Sequence, residues 1–195
     1  MAALLVAFGY LAGSIPTGVL IANRVGIDLR RVGSGNIGAT NVTRAAGTRL
    51  GLFTLLGDAM KGAIPTALAT WLDVGAGVTA TVAVAAVAGH VFPVMLGFRG
   101  GKGVATALGV LVVLAPLVAG AVTLVFALVE AASRWVSLGS LVATMLTPAL
   151  LALLGAPTAH VLAMAAVAVL VVLRHRENLE RLLEGSEPKI GPPTE

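Results

Sequence analysis

The chain contains no cysteine, so disulfides, thiolate nucleophiles, thioester intermediates and cysteine-based metal sites are all excluded. Charge is nearly as scarce. Only 11% of the 195 residues are charged, while 57% are hydrophobic; a soluble domain is about a quarter charged and about half apolar. The deficit of charge carries the argument, because charged groups are what solvate a surface, and this surface is suited to lipid. No basic run precedes the first apolar segment, residues 3–22, and no small-residue cleavage signature follows it. A retained span is expected there, not a removed leader. There is no repeat of fixed period and no pair of inverted halves. No His, Asp and Glu cluster has ligand spacing, so no metal and no cofactor are expected. The chain reads as one integral-membrane domain over residues 1–195, with a disordered tail at 188–195.

What is present is a series of apolar runs, each long enough for a span of roughly 20 residues: 3–22, 50–72, 74–96, 104–130, 136–154 and 157–173. The polar stretches between and after them are basic. Residues 23–49 carry Arg24, Arg30, Arg31, Arg44 and Arg49. Residues 97–103 carry Arg99 and Lys102, and 174–195 carry Arg174, Arg176, Arg181 and Lys189. The positive-inside rule places all three on the cytoplasmic face. Residues 103 and 174 then lie on the same side, yet three apolar runs join them, so one must split or fail to cross. Run 104–130 would be a helix of about 40 Å, too long for a core of about 30 Å, and Pro116 and Gly120 lie near its middle. Splitting it near 104–115 and 117–131 gives an all-α polytopic bundle of about seven transmembrane helices, some short, with the N-terminus outside and the C-terminus cytoplasmic. Five crossings with one re-entrant segment is the alternative. Gly9, Gly13 and Gly18 are expected to let the first span approach its neighbours closely.

Three polar stretches could carry chemistry. In residues 33–44, GSGNIGATNVTR, Gly33, Gly35 and Gly38 permit bends whose successive N–H groups form anion-binding nests. Ser34 is placed to cap a short helix starting near Asn36, on which Thr40 and Arg44 would share a face. A flexible linker would need neither the Asn36–Thr40–Asn41 set nor an ordered Arg. In residues 89–106, Gly100, Gly101, Lys102 and Gly103 precede a helix, a combination suited to cradling phosphate. It is not a Walker A loop, since only three residues separate Gly97 from Gly101 and a glycine follows the lysine. In residues 174–187, Leu179, Leu182 and Leu183 recur at helical spacing, as in an amphipathic extension along the membrane surface, and His175 and Asn178 project together. A positive-inside turn and a solvated helix are the plainer readings of the last two. Asp58 and Lys61 are expected to pair within a span in a structural role. Glu130 and Arg134 are an i, i+4 pair at the inner surface, and His90 and His160 read as packing groups. The formal net charge of +4 suits anionic headgroups or phosphorylated substrates, though basic cytoplasmic loops alone produce it.

Together these stretches resemble the bacterial acyl-phosphate:glycerol-3-phosphate acyltransferases, the PlsY family. The resemblance rests on Gly13-Ser14-Ile15-Pro16-Thr17, residues 33–44, Asp58 to Gly62, residues 90–106 and residues 174–187, in that order over nearly the whole chain. It implies transfer of a fatty acyl group from acyl phosphate to the 1-hydroxyl of sn-glycerol 3-phosphate. The products would be lysophosphatidic acid and inorganic phosphate, made in phospholipid biosynthesis at the cytoplasmic (inner) membrane, with the site facing the cytoplasm. The partners would be the two substrates and the bilayer, with no nucleic acid. The H-x-x-x-x-D pair of other acyltransferases is missing: Met95 stands five residues beyond His90, and Ala165 five beyond His160.

On this reading the catalytic set is Ser34, Arg44, Lys102, His175 and Asn178, with Gly33, Gly35, Asn36, Thr40, Asn41, Gly100, Gly101 and Gly103 binding substrate. Lys102 and the 100–103 amides would hold a phosphate. Arg44, Ser34 and Thr40, with Asn178 and His175, would hold the acceptor. Transfer would be direct, and the base either a substrate phosphate oxygen or a neutral His175 with a pKa near the working pH. A small transporter of an organic phosphate is the reading from another class, disfavoured because the polar groups gather on one side and no inverted halves are visible.

Overall fold

In a computed structural model, residues 1–190 are described. They form ten α-helices and no strand: α1 (Ala2–Gly13), α2 (Thr17–Asn23), α3 (Ala39–Ala46), α4 (Thr48–Trp71), α5 (Ala76–Val91), α6 (Val104–Leu114), α7 (Pro116–Ser133), α8 (Val136–Leu153), α9 (Thr158–Arg174) and α10 (Arg176–Leu183), with a 3-10 turn at Val94–Leu96. The long apolar run does break where a split was expected. Ala115 leaves the helical region at φ −156°, ψ 77°, and Pro116 opens α7 at its first position, where its missing N–H costs nothing.

Among the described residues, four stretches are long and apolar enough to cross a bilayer: Ala2–Asn23, Ala76–Leu96, Pro116–Ser133 and Val136–Leu153. Counting α9 and α10 as one, despite a 59° bend between them, makes a fifth. Helix α4 carries Arg49, Asp58 and Lys61, and α6 has only 11 residues. Large apolar side chains face outward around the bundle, including Leu4, Leu117, Leu124, Leu153 and Leu162, which is the inverse of a water-facing surface. The core proper lies among α5 to α9 and is built from small and branched residues such as Val87, Val110, Val118, Leu151, Met164 and Val167.

Glycines set the closest helix approaches. A Cβ on Gly13 would lie 2.0 Å from the Ala86 carbonyl oxygen, and one on Gly109 would lie 1.9 Å from that of Ala59. Backbones this close gain dispersion contact that larger residues would block. The break between α1 and α2 is pinned from α4: the Lys61 ammonium donates to the Ile15 carbonyl at 2.8 Å and pairs with Asp58 at 2.9 Å. His90 stands 3.7 Å from the same carboxylate. Lys61 and Asp58 are therefore partners of each other, and Lys61 ties the pair to the α1–α2 break.

The tail expected at 188–195 begins otherwise. Pro188 accepts a hydrogen bond from Arg44, and the Ile190 N–H donates to the Arg134 carbonyl at 2.9 Å. These hydrogen bonds fasten the segment to the bundle; the remainder of that tail, 191–195, lies outside the described residues.

Candidate active site

Three segments far apart in sequence meet at one end of the bundle. The first is the loop from Ile27 to Gly38. Its apolar members Leu29 and Ile37 are buried with Ala22 and Val42 in a small satellite core, which fastens the loop beneath α2 and α3. Gly33 and Gly35 take positive φ, +56° and +68°, as expected for bends only glycine makes cheaply. The loop closes on Asn41, which is 2% exposed. Its side-chain oxygen accepts the Ser34 N–H at 3.0 Å, and its amide nitrogen lies 2.9–3.2 Å from the carbonyls of Leu29, Val32 and Asn36. Asn41 thus shapes the loop from inside. This corrects its expected place among groups that touch substrate, since its polar atoms are already engaged.

Ser34 is not a helix cap. Helix α3 starts at Ala39 with Gly38 before it, because the chain first completes an Asx turn in which Asn36 accepts the Gly38 N–H at 2.9 Å. Ser34 instead faces the cavity described below.

The second segment is residues 97–103. Gly97, Phe98 and Gly103 have positive φ, and the loop folds back over the end of α5. The N–H groups of Gly100 and Gly101 donate to the carbonyls of Val91 and His90, at 3.0 and 3.1 Å. These two amides are therefore not offered to an anion, contrary to the expected 100–103 cradle; they satisfy the last carbonyls of α5. The glycines serve close approach instead: a Cβ on Gly100 would lie 2.0 Å from the His90 carbonyl oxygen, and one on Gly101 would lie 2.2 Å from His90 Nε2.

The third segment is the α9–α10 bend. Arg174 donates to the carbonyls of Gly101 and Gly100, each at 3.3 Å. From the first loop, Arg30 donates to the Arg99 carbonyl. Two arginines that read in sequence only as topogenic charges thus stitch the three segments together.

Between them lies a cavity of about 270 Å³, bounded by Ser34, Gly35 and Asn36 from the first segment, by Phe98, Arg99, Gly100 and Lys102 from the second, and by Arg174, Glu177 and Asn178 from the third. Arg30, Arg176 and Arg181 also face it. One carboxylate among so many cations leaves a strongly positive chamber, suited to a multiply charged anion.

Lys102 extends into this chamber and donates to Asn178 Oδ1 at 2.5 Å. Asn178 Nδ2 donates to Glu187 Oε1 at 2.6 Å, and Glu187 Oε2 accepts from Arg181 at 2.7 Å. Burial lowers the Lys102 pKa to about 8; the Glu187 carboxylate holds it up, the Arg181 charge presses it down, and Glu177 and Arg44 act likewise in opposite senses. The ammonium is charged at neutral pH but titrates unusually early.

His175, 2% exposed, sits at the bend beside Lys102. Its Nδ1 is 2.8 Å from the Val171 carbonyl. A carbonyl only accepts, so the proton is on Nδ1 and the lone pair on Nε2. Burial, and then the Lys102 charge, lower its pKa to about 4 against the opposing effect of the hydrogen bond to the Val171 carbonyl. A pKa near the working pH belonged to one of the two alternatives for the base; burial, and then the Lys102 charge, place it lower.

Arg44 and Thr40 share an exposed face of α3, as their spacing implied, but neither bounds the cavity. Arg44 acts on Lys102 through its charge and donates to the Pro188 carbonyl at 3.4 Å. Glu187 closes the 174–187 stretch but was not among the residues named for the site; no local signal separates it from Glu177, Glu180 and Glu184.

The family model described as glycerol-3-phosphate acyltransferase matches residues 3–185. The glycerol-3-phosphate acyltransferase of Rubrobacter xylanophilus is 48% identical over 188 residues, 96% of this chain and 94% of that protein. That of Geobacter sulfurreducens is 47% identical, covering 94% of this chain and 95% of its own. Among solved structures, PlsY, an integral membrane glycerol 3-phosphate acyltransferase, matches in its glycerol 3-phosphate form with a TM-score of 0.95 and 44% identity over 97% of this chain and 96% of that one. Its lysophosphatidic acid form gives a TM-score of 0.92 and 43% identity, over 97% and 95%.

Proposed function

The chain belongs to the glycerol-3-phosphate acyltransferase family, and on that premise we propose how its cationic chamber carries out the reaction. The protein is an integral-membrane enzyme that transfers an acyl group to glycerol 3-phosphate, giving lysophosphatidic acid. The donor in our reading is an acyl phosphate. Such a donor already carries a good leaving group, so the enzyme needs to position two phosphorylated reactants and neutralise their charge. The absence of cysteine fits direct transfer.

Lys102 and the first turn of α6 hold one phosphate. Ser34, Asn178 and Arg44, with the neighbouring arginines of the chamber, hold the other. The 1-hydroxyl oxygen attacks the acyl carbonyl carbon, the bond from that carbon to the phosphate oxygen breaks, and inorganic phosphate departs. The hydroxyl proton goes to a substrate phosphate oxygen. A phosphate monoester with a second pKa of about 6 is a stronger base than an imidazole whose conjugate acid has a pKa of about 4. His175 then serves as an acceptor through Nε2, orienting the hydroxyl. The apolar rim formed by Phe98 and Leu173 leads the acyl chain out between the helices.

The observation that carries this reading is the junction of Lys102 with Asn178 inside a chamber walled by arginines from three segments. We further propose that the enzyme lies in the bacterial cytoplasmic membrane with seven crossings, the N-terminus outside, and the chamber and C-terminus on the cytoplasmic side, as the basic loops favour. The test of function is phosphate release from palmitoyl phosphate by the detergent-solubilised protein. Release must depend on glycerol 3-phosphate and be matched by lysophosphatidic acid. Release without acceptor, or a trapped acyl-enzyme, would sink direct transfer. Single cysteines introduced near residues 34, 73, 115 and 190 into the cysteine-free chain would map the sides; labelling of 34 from outside would overturn the orientation.

A further inference from the structure

Beyond α10 the chain reverses. Gly185 takes φ +72°, and the N–H groups of Ser186 and Glu187 both donate to the Arg181 carbonyl, at 2.8 and 3.1 Å. Residues 187–190 then cross to the corner between α7 and α8. Trp135 Nε1 donates to the Glu187 carbonyl at 3.1 Å. The Lys189 ammonium lies 5.4 Å from the centre of the Trp135 ring. The Ile190 N–H donates to the Arg134 carbonyl at 2.9 Å, and Arg134 Nε returns a bond to the Ile190 carbonyl at 2.8 Å. Arg134 makes this two-way pairing from the left-handed region, φ +64°, a conformation that costs a side-chain-bearing residue about 1 kcal/mol or more. The corner itself is stiffened by Ser133, which donates to Val129 at 2.6 Å and accepts the Trp135 N–H at 3.1 Å.

Neither Arg134 nor Trp135 bounds the cationic chamber. The segment they hold nevertheless ends in the site from both sides. The Glu187 carboxylate takes the hydrogen bonds of Asn178 and Arg181, and the Pro188 carbonyl takes that of Arg44. Arg44 is otherwise on an exposed face of α3, where a long side chain has many rotamers to lose on binding an anion.

We propose that residues 186–190 are a positioning strap, anchored on Arg134 and Trp135, that presets Arg44 and Asn178 for the acceptor phosphate, so that the α7–α8 corner sets affinity for glycerol 3-phosphate without touching it. The proposal rests on the reading of Arg44 as an acceptor-binding residue. Its physical content is pre-organisation: with the strap released, both side chains must be ordered at the moment of binding, and acceptor affinity falls.

The test compares three variants of the chain in detergent, assayed with palmitoyl phosphate and varied glycerol 3-phosphate. Trp135→Phe combined with Arg134→Ala loosens the anchor. A stop after Glu187 removes the Pro188 carbonyl and the Ile190 pairing. Arg44→Ala is the reference. The anchor variant and the stop after Glu187 should each raise KM for glycerol 3-phosphate about three- to tenfold, the scale of one lost hydrogen bond, with KM for the donor and kcat within about twofold. A merely structural strap would instead lower the folded fraction, so Vmax would fall with KM unchanged, and that result overturns the proposal. Should the anchor variant fail to fold, the stop after Glu187 decides alone. If Arg44→Ala leaves the acceptor KM unchanged, the reading of the acceptor site fails. If Arg44→Ala raises it and neither strap variant does, the strap fails while that reading stands.

Discussion

Lys102 and Asn178, 76 residues apart in sequence, share a hydrogen bond of 2.5 Å that joins the loop before α6 to the first turns of α10. The bond aims an ammonium into a chamber of arginines and leaves the Asn178 amide to Glu187. Lys102→Ala removes both the charge and this junction. A charge-assisted contact to phosphate contributes about 1.5–3 kcal/mol, so kcat/KM should fall by about 10- to 150-fold, with Asn178→Ala less severe. The double variant should lose less than the sum of the two, since the residues act on each other. A loss of only twofold in Lys102→Ala would show that the phosphate is held elsewhere.

How much of this was legible in the sequence depends on whether the signal was local. The split at Ala115–Pro116, the buried Asp58–Lys61 pair and the bent amphipathic α10 all follow from short-range rules of proline chemistry, charge burial and helical period. Lys102, His175 and Asn178 could be named because their residue types are unusual beside glycine or at a span's end. The stitching by Arg30 and Arg174 was hidden, since an arginine that orients a span looks the same as one that grips a carbonyl. Asn41 was named for the wrong reason: its polarity signalled importance, but only three-dimensional closure shows that it is spent inside the loop. Glu187 was not singled out because it stands among the other glutamates of the 174–187 stretch, just before the expected tail, and nothing local announces a strap.

The pH profile should carry the signature of Lys102. Its pKa of about 8 in the free enzyme means that the cation is present below pH 8 and lost above it, so kcat/KM should be level near neutrality and fall on the alkaline side. A bound phosphate favours the ammonium, so the corresponding limb in kcat should lie at higher pH. For folding the sign is opposite. The unfolded lysine, at an ordinary 10.5, binds more protons than the folded one between about pH 8 and that value, so this residue's contribution to stability rises across that window. Lys102→Arg should erase the kinetic limb; a limb that survives belongs to another group.

His175 should not titrate in the physiological range. With its pKa near 4 and Nδ1 donating to Val171, nitrogen NMR of the labelled ring should show the Nδ1–H tautomer unchanged from pH 8 down to about 5. His175→Gln, which keeps an acceptor, should retain more activity than His175→Ala. A histidine signal assigned to His175 with a midpoint near 7 would restore the general-base alternative.

Asn41 should tolerate little. Asn41→Asp keeps the outline but presents oxygen where the amide nitrogen faces the Leu29, Val32 and Asn36 carbonyls. Buried acceptors left without donors cost about 1–3 kcal/mol each, so a loss of at least about 2 kcal/mol is expected. Thermal unfolding in detergent should report the drop. Faster proteolysis within 27–38 should accompany it, because this loop loses its closure. An unchanged melting temperature would mean that the loop is held by Leu29 and Ile37 alone.

The Asp58–Lys61 pair tests whether charge inside the bundle serves chemistry or architecture. Both side chains are nearly enclosed, 3% and 5% exposed, and the ammonium also satisfies the Ile15 carbonyl at the α1–α2 break. Lys61→Met leaves a carboxylate uncompensated beside His90, and breaking such a buried pair costs about 3–5 kcal/mol. Asp58→Asn with Lys61→Met removes both charges, so its loss should be smaller than that of Lys61→Met alone. If the role is architectural, the double variant that still folds should keep KM for both substrates and lose activity only in proportion to its folded fraction. A double variant that is well folded yet raises KM for either substrate would instead place this pair in the substrate-binding machinery, because the α1–α2 break it pins leads through α2 to the loop that presents Ser34.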